Sequence, residues 1–565
     1  MSHRVRWIAR PAAPAAFLNA LPAGLSPLVG QVLWNRGVTD PAAVEPFLSA
    51  AYSDQHDALA LRDMDRAVRR VREAVAQGQT VAVYGDFDTD GVTGVALLKQ
   101  ALTALGLRVI PYIPRRLDEG YGLNLPAVES LARQAQLLIT VDCGISNVVE
   151  IARAQALGLD VIVLDHHTPP AVLPDGYAVV NPKRAGCAYP YKMLAGVGVA
   201  YKLVQAFHKA GLRTSLRGRD VLDVVALGTV ADMAPLDGEN RILVKHGLRA
   251  LNESQRPGIT ALIEASATRR PVDARAIGFQ LGPRINAAGR LDDAIRAYQL
   301  LLTDSPVEAR RLADELNAIN QQRQALTREV QQQAAELAIA RGKERDRIIV
   351  LDGEGFPAGI VGLVAGRLVE QFNRPVLLLE RGATVSRGSA RSISGFSIIE
   401  AFAAIGDVFE KFGGHSMAAG FTVANDRLAE LESRLAAIAA RDLPDELLQP
   451  RLMYDAELAI EQQSLDLVDQ LALLEPFGHG NVEPVWVTRG VRVVEARRIG
   501  REQQHLKLRL FDGRRAAEAV WWGGGGHGAA FAHRPIVDVA YTLGANDFGG
   551  ARRVQLIVKD IVAHG

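Results

Sequence analysis

The sequence predicts an α/β protein of two α/β lobes joined by a long helix, with a small OB-like β-barrel at its C-terminal end. Three observations carry this expectation. Short apolar strands alternate with amphipathic helices over roughly the first third of the chain, which is the rhythm of a parallel sheet with helical crossovers. A helical period then runs for about forty residues from Asp304. After residue 450 the pattern changes to short strands in which apolar and polar residues alternate.

Residues 1–50 are rich in Ala and Pro and read as a loosely specified N-terminal cap. Residues 51–220 begin with the helix "DMDRAVRRVREAVAQG" and continue through the strands "TVAVYG", "RVIPYI", "LLITV" and "VIVLD". Residues 221–345 are mostly helical and end in the connector, where Leu312, Leu316, Ile319, Leu326 and Val330 recur at three- and four-residue steps. A helix of about forty residues spans roughly 60 Å, enough to tie two lobes together; two shorter helices broken near the Gln run are the alternative. Residues 346–445 carry the second α/β pattern, with "RIIVLDGEGF", the Gly-spaced "GIVGLVAGRLVEQF", "PVLLLE" and "SRGSARSISGFSIIEAF". Residues 450–565 hold the short strands. In "HLKLRLF" Leu506, Leu508 and Leu510 face one way and Lys507 and Arg509 the other. About five such strands suit a small antiparallel barrel of the OB type, with the glycine run 523–526 as a flexible loop.

A chain of 565 residues with 48% hydrophobic and 22% charged content has the balance of a folded multidomain protein rather than a disordered one. No run is apolar enough to span a bilayer, and the first residues place Arg and Pro where a signal peptide has its apolar core, so a cytoplasmic protein is expected. Two cysteines exclude a disulfide framework and a cysteine-based zinc site. The net charge of +1 gives no general basic field, so contact with a polyanion has to be local. Doublets such as Arg115-Arg116 and Arg497-Arg498 read first as solvated surface.

Ligands gather at the carboxyl edge of a parallel sheet, and here three strands end in acid. "VAVYG" is followed by Asp86, Asp88 and Asp90, "LLITV" by Asp142, and "VIVL" by Asp165, His166 and His167. One Asp after a strand is ordinarily a helix cap or turn residue. Three edges together put carboxylates in one crevice, where each opposes the ionisation of the others unless a divalent cation compensates them. Oxygen donors with one or two imidazoles and no thiolate suit Mn²⁺ or Mg²⁺. Asp232, in "ALGTVADMAPL", is placed to close the site or, taken alone, to end a helix.

The motifs "YGDFDTDG", "VDCG", "DHH" and "VADMAPL", in this order, resemble those of the DHH phosphoesterase family, and "GGHSMAAGF" (413–421) resembles the glycine-rich motif of its companion DHHA1 domain. "GFQLGPRINAAGRL", the connector and the terminal barrel are most similar to the single-strand-specific exonucleases of that family. The resemblance implies that residues 51–220 are the DHH catalytic domain, 346–445 the DHHA1 domain and 450–565 an OB-like nucleic-acid-binding domain. It implies metal ligands at Asp88, Asp90, Asp142, His166 and Asp232, with Asp142 bridging two ions and Asp86 at the first acidic position. Many relatives have a histidine where this chain has Tyr84, which implies a more weakly held first metal.

The resemblance further implies 5′ to 3′ digestion of single-stranded DNA to 5′-mononucleotides by two-metal hydrolysis, in DNA recombination and repair. His167 is the candidate for contacting the phosphoryl oxygen or protonating the leaving group; a structural histidine is the other reading. Arg284, Asn286 and Arg290, and Arg387, Ser389 and Arg391, offer guanidinium forks for phosphate, with Gly413, Gly414 and His415 completing the pocket for the 5′ end. Trp486, Trp521 and Trp522 are candidates for base stacking. Single-stranded DNA is the implied substrate, and single-strand binding protein and a RecQ-type helicase are implied partners. The alternatives are a DHH-family oligoribonuclease or cyclic-dinucleotide phosphodiesterase, whose chains generally lack the terminal barrel, and an inactive DNA-binding scaffold, which typically loses the metal acids.

Overall fold

The strand Thr80–Gly85 lies inside a five-stranded parallel sheet, between Arg108–Tyr112 and Leu137–Val141, with Asp160–Leu164 and Ala178–Val180 beyond. This computed structural model describes residues 5–116, 118–212, 214–547 and 550–564. The central strands are apolar without interruption because both faces are covered. Val81 and Val83 pack into the core shared with the helices Thr89–Ala104 and Gly196–Lys209, while Ala82 and Tyr84 pack into a second core on the other face.

The connector is one helix, Pro306–Ala340, started by Pro306 at its first position and by Ser305, whose Oγ accepts from the Glu308 N–H. Its 35 residues span about 52 Å. Ala309, Leu312, Ala313 and Leu316 belong to the core of the first lobe, and Val330, Ala334, Ala335 and Ala338 to that of the second. Gln, Arg, Glu and Ala in the middle are good helix formers and both ends are buried, so the helix does not break there.

The second lobe carries a five-stranded sheet in the order Lys411–His415, Ala418–Ala424, Val385–Arg391, Val376–Glu380, Ile349–Gly353. Only the last pair is parallel. The C-terminal strands close into a barrel because Trp486–Ile499 pairs both with His505–Phe511 and with Ile536–Asn546. It is not wholly antiparallel: Ala516–Trp521 and Arg553–Ala563 run parallel. The glycine run opens a 3₁₀ turn, Gly524–Phe531, rather than a loop, with Gly525 packed against the backbone of Gln503 and Gln504.

The N-terminal segment is better specified than its composition suggests. It forms the helices Ala15–Asn19, Pro27–Asn35 and Val44–Ser49, and Val29, Val32, Leu33 and Val44 share one core with the barrel. Buried Asp455 accepts from Arg36 Nη1 and Asn35 Nδ2, both at 3.0 Å. Fully buried Arg241 joins three modules by donating to the carbonyls of Phe47, Leu473 and Leu474. The Leu236 N–H, four residues after Asp232, donates to the His479 carbonyl at 2.7 Å, which seats the barrel domain beside the acidic edge of the first sheet. No helix among the described residues is long and apolar enough to cross a membrane.

Candidate active site

The three acidic strand ends meet, and each carboxylate is held differently. Asp88 caps the helix Thr89–Ala104, accepting from the N–H groups of Asp90 (2.9 Å) and Gly91 (3.2 Å). Asp90 is buried and accepts from Gly196 N (2.6 Å) and Val197 N (2.8 Å), the first residues of the helix Gly196–Lys209. Gly196 is required here, because an added Cβ would lie 2.6 Å from the Asp142 Cβ. Asp142 turns the chain with φ +60°, a left-handed conformation that Asp tolerates and that aims its carboxylate back over the sheet edge. Asp232 ends the helix Leu222–Ala231 from the opposite side.

Ligand atoms of Asp86, Asp88 and Asp142 lie within 4.8 Å of one another, as do those of Asp90, His166 and Asp232. Asp142 Oδ1 and His166 Nε2, 3.0 Å apart, join the two sets. A third grouping adds His167 to Asp142 and His166. Burial, with Asp88 close by, raises the Asp86 carboxyl well above the carboxylate range and the Asp90 carboxyl to about 7. Burial and neighbouring acids likewise raise Asp142 and Asp232. Burial, with His167 adjacent, lowers His166 to about 3, so it is a neutral imidazole with a lone pair to offer.

Asp86 Oδ1, Asp142 Oδ1 and His166 Nε2 are all buried and without a hydrogen-bond partner. Buried acceptors left unpaired are costly, and a hard divalent cation satisfies carboxylate oxygen and neutral imidazole together. The donor set therefore fits Mn²⁺ or Mg²⁺. No thiolate takes part: Cys143 is buried with its Sγ toward the Tyr84 carbonyl, and burial raises its thiol.

Asp165 is not among these ligand sets. Its carboxylate accepts from the N–H groups of Ile145, His166 and His167 and from His167 Nδ1 at 2.8 Å. It thereby orients both histidines. Although burial opposes it, the bond to Asp165 raises the His167 imidazole above its ordinary value. Tyr121 Oη lies 3.3 Å from His167 Nδ1, and the His415 ring stands across from His167, 6.2 Å away and nearly parallel. His415 belongs to the strand Lys411–His415 with Gly413 and Gly414, so this edge of the second lobe faces the acidic cluster.

Tyr84 turns its side chain to the other face of the sheet and so supplies no ligand to the acidic cluster. It stacks on Tyr112 and donates to the Gly122 carbonyl at 2.8 Å. With Glu119, which accepts from Tyr112 Oη, Asn124 Nδ2 and Arg115 N, it braces the loop that carries Arg116 and Tyr121. Arg116 is thus no solvated surface residue. It is half-buried over the Phe87 ring, with Asp86 and Asp88 as its nearest opposite charges, while Arg115 stays outside and pairs with Asp293.

Arg290 and Arg391 gather with Arg116. Burial, with Arg116, Arg323 and Arg391 around it, lowers Arg290 to about 9. Burial, with Arg116, also lowers Arg391, whose Nη1 donates to Ser389 Oγ at 2.8 Å. Arg284 sits apart, donating to Asn317 and the Gln280 carbonyl. Asn286 does not offer its oxygen to a ligand: Oδ1 accepts from both Thr89 N and Thr89 Oγ1 at 2.7 Å, fixing the turn of the acidic motif. Arg387 is exposed, two pleats and roughly 13 Å along the strand from Arg391, away from this group.

The tryptophans divide by burial. Trp486 is fully buried in the barrel core and cannot stack on a base. Trp521 is stacked on His527 at 4.7 Å, and Trp522, 56% exposed and edge-on to His505, is the ring that the barrel presents outward. Sequence reasoning missed Arg116, Tyr121, the role of Asp165, and Lys183, whose ammonium is lowered by burial with Asp232 and Asp165 nearby.

Three family models match the chain: the DHH family N-terminal domain over residues 80–229, the DHHA1 domain over 345–441 and the RecJ OB domain over 454–560. The chain is 37% identical, over 96% of its length and 96% of the relative's, to the single-stranded-DNA-specific exonuclease RecJ of Salmonella typhimurium. The chain belongs to the RecJ family. It is also 35% identical to the RecJ of Bacillus subtilis, over 95% of this chain and 68% of that one. The crystal structure of RecJ in complex with Mn²⁺ from Thermus thermophilus superposes with a TM-score of 0.85 at 33% identity, covering 100% of this chain and 80% of that one.

Proposed function

We propose that this RecJ-family chain is a single-stranded-DNA-specific exonuclease that digests from the 5′ end, releases 5′-mononucleotides and uses two Mn²⁺ or Mg²⁺ ions. The observation that carries the reading is the pair of ligand sets, Asp86–Asp88–Asp142 and Asp90–His166–Asp232, meeting at unpartnered Asp142 Oδ1 and His166 Nε2. RecJ relatives of nearly equal length, and a RecJ structure with Mn²⁺, support it.

The six residues would hold the ions, and bound divalent ions supply Lewis-acid polarisation of the scissile phosphate and an acidified water. Asp165 keeps His167 oriented by its bond at Nδ1, which frees Nε2 to carry a proton toward the phosphoryl oxygen or the departing 3′ oxygen. Arg116, Arg290 and Arg391, whose guanidinium forks form no salt bridge with a carboxylate among the described residues, hold the terminal 5′-phosphate together with Ser389, whose Oγ accepts from Arg391 Nη1. His415, Gly413 and Gly414 close the end pocket from the second lobe. Trp522 and the basic barrel strands retain the strand downstream. The family resemblance alone supports a role in recombination and repair at the nucleoid, with single-strand binding protein and a RecQ-type helicase as partners.

The test is a time course on 5′- and 3′-end-labelled single- and double-stranded DNA with Mn²⁺, Mg²⁺ or chelator. Mononucleotides should leave the 5′ end of the single strand alone, and only with metal. Digestion that proceeds in chelator, or that prefers duplex, defeats the proposal.

A further inference from the structure

Asp232 is the one member of the two ligand sets that does not follow a strand of the parallel sheet. It ends the helix Leu222–Ala231, its N–H donating to the Gly228 carbonyl at 2.9 Å, and the chain then turns sharply. Met233 takes φ +60°, and the Ala234 N–H returns to the Thr229 carbonyl at 3.3 Å. Beyond this turn the first lobe holds one side of the chain: Tyr191 Oη and Asn240 Nδ2 donate to the Pro235 carbonyl at 3.3 and 3.1 Å. The barrel domain holds the other. Leu236 is 1% exposed, and its N–H donates to the His479 carbonyl at 2.7 Å.

The barrel meets the turn with its backbone. A Cβ on Gly478 would lie 2.6 Å from Leu236 Cδ1, and one on Gly480 would lie 2.9 Å from Pro235 Cβ and 3.5 Å from the Leu236 nitrogen. Gly480 also has φ +75°, so both the close approach and the backbone require glycine there. The loop that carries these glycines is itself braced. Buried Asn481 donates through Nδ2 to the carbonyls of Leu474 at 2.8 Å and Pro476 at 2.9 Å, and its own carbonyl accepts from the Gly478 N–H at 2.8 Å. At the start of the loop the Leu473 and Leu474 carbonyls accept from Arg241, on the helix Gly238–Glu253 that follows the turn. Turn and loop therefore grip each other at both ends, and the loop leads directly into Trp486–Ile499, the strand that closes the barrel.

We propose that the barrel loop Leu473–Asn481 is a positioning element of the metal centre: it sets the turn that aims Asp232, so the affinity of the Asp90–His166–Asp232 set for its ion depends on how the barrel is seated. The inference rests on the reading of that set as an ion site. Asp232 Oδ2 stands 3.8 Å from His166 Nδ1, and a divalent ion accepts its ligands only within a few tenths of an ångström of fixed distances. Carbon atoms in ordinary contact are about 3.5–4.0 Å apart, so an alanine Cβ at position 480 would push Pro235 by roughly 0.6–1.1 Å, three residues from the ligand. Groups that orient a ligand from behind change metal affinity by about 10–100-fold, and a shift passed through the backbone belongs at the lower end of that range. Linkage runs both ways: whatever factor the seated barrel adds to ion affinity, a bound ion adds to the seating of the barrel.

The experiment titrates Mn²⁺ into the full chain by calorimetry, for the parent and for Asp232→Asn, Gly480→Ala, Gly478→Ala and Gly490→Ala. Gly490 is the control: it lies in the same domain with φ +64° and has nothing within 4 Å of where its Cβ would be, so alanine there strains the backbone and pushes on nothing. Asp232→Asn identifies the binding step that belongs to this set. Gly480→Ala should weaken that step by about tenfold, Gly478→Ala, which meets only the far end of the Leu236 side chain, by less, and Gly490→Ala not at all. Nucleotide release lost at limiting Mn²⁺ should return at excess, with KM for DNA unchanged. Hydrogen exchange of the peptide that holds the Leu236 amide, followed by mass spectrometry, should slow when Mn²⁺ is added to the parent but not to Asp232→Asn. Should Gly480→Ala fail to fold, Gly478→Ala decides. Parent-like titrations in the folded glycine variants, a loss as large in Gly490→Ala, or exchange indifferent to Mn²⁺ in the parent overturns the positioning role. A titration unchanged in Asp232→Asn strikes the ligand set instead.

Discussion

Asp165→Asn removes one charge and reverses one hydrogen bond at a residue that belongs to neither metal set. In the parent, Oδ1 accepts from His166 N (2.7 Å), His167 N (3.0 Å) and His167 Nδ1 (2.8 Å), and Oδ2 from Ile145 N (2.9 Å). An asparagine keeps the three bonds at one end only by turning its amide NH₂ toward the Ile145 N–H, donor against donor. One buried donor left unpaired in this way costs about 1–3 kcal/mol of stability. The strand below, Asp160–Leu164, lies in the fully packed sheet, so the chain should still fold. The catalytic loss has a separate origin. A neutral amide no longer pins His167 Nδ1 as a carboxylate does, and groups that orient an imidazole from behind are typically worth 10–100-fold in activity, so a loss of about that size is expected. Because Asp165 is buried away from any strand in the cleft, the loss should fall on kcat and leave KM for DNA nearly unchanged. Steady-state release of nucleotides from a 5′-phosphorylated single strand, with melting followed in parallel, measures both. A folded variant with kcat within twofold of the parent, or with the loss in KM, refutes the orienting role.

Asp142→Ala should fold and melt no lower than the parent in chelator, since it removes a carboxyl that burial and neighbouring acids push up, yet lose hydrolysis at saturating Mn²⁺. The parent should gain about 2.7 kcal/mol at a hundredfold excess of Mn²⁺ over its dissociation constant, and calorimetry should show that gain sharply reduced in the variant. Arg391→Gln should weaken binding of 5′-phosphorylated strands by about tenfold while leaving 5′-hydroxyl strands nearly as before; equal losses on both ends would remove Arg391 from the end pocket. The two tryptophans should part company. Trp486→Ala opens a core cavity and should cost about 3–5 kcal/mol of stability, whereas Trp522→Ala should leave melting unchanged and weaken single-strand binding by about 1–3 kcal/mol. For pH, Asp63 opposes its burial by accepting from Arg184 and from the Val179 N–H, and its carboxyl is held below the usual range. A depressed acid contributes stability above the unfolded value of about 3.9 and loses it as pH falls through the folded value. Asp63→Asn should therefore melt lower than the parent at neutral pH, and the gap should close below about pH 3. A gap that widens in acid contradicts the assignment.

The linear sequence determined the parts whose cause is local. Apolar runs long enough for a strand, each stopped by acid, mark a parallel sheet with carboxylates at its working edge, and so the meeting of Asp86, Asp88, Asp90 and Asp142 was legible in the sequence. The three- and four-residue steps of Leu312, Leu316 and Ile319 likewise specified the connector, because helix period is a property of the chain itself. What tertiary structure decided is everything that depends on direction and on partners distant in the chain. Within "DHH" only the turn after the strand determines that Asp165 folds back onto backbone N–H groups while His166 faces the acids. That Tyr84 turns away from the acids follows only from which face of the sheet it occupies. Arg116 left the surface because Tyr84, Tyr112 and Glu119 brace its loop over the cleft. The N-terminal segment acquired its helices by completing the core of a barrel more than four hundred residues away, and Trp486 was withdrawn from solvent by the same closure. Burial and charge are sums over neighbours, and a sequence names those neighbours only where they are also adjacent along the chain.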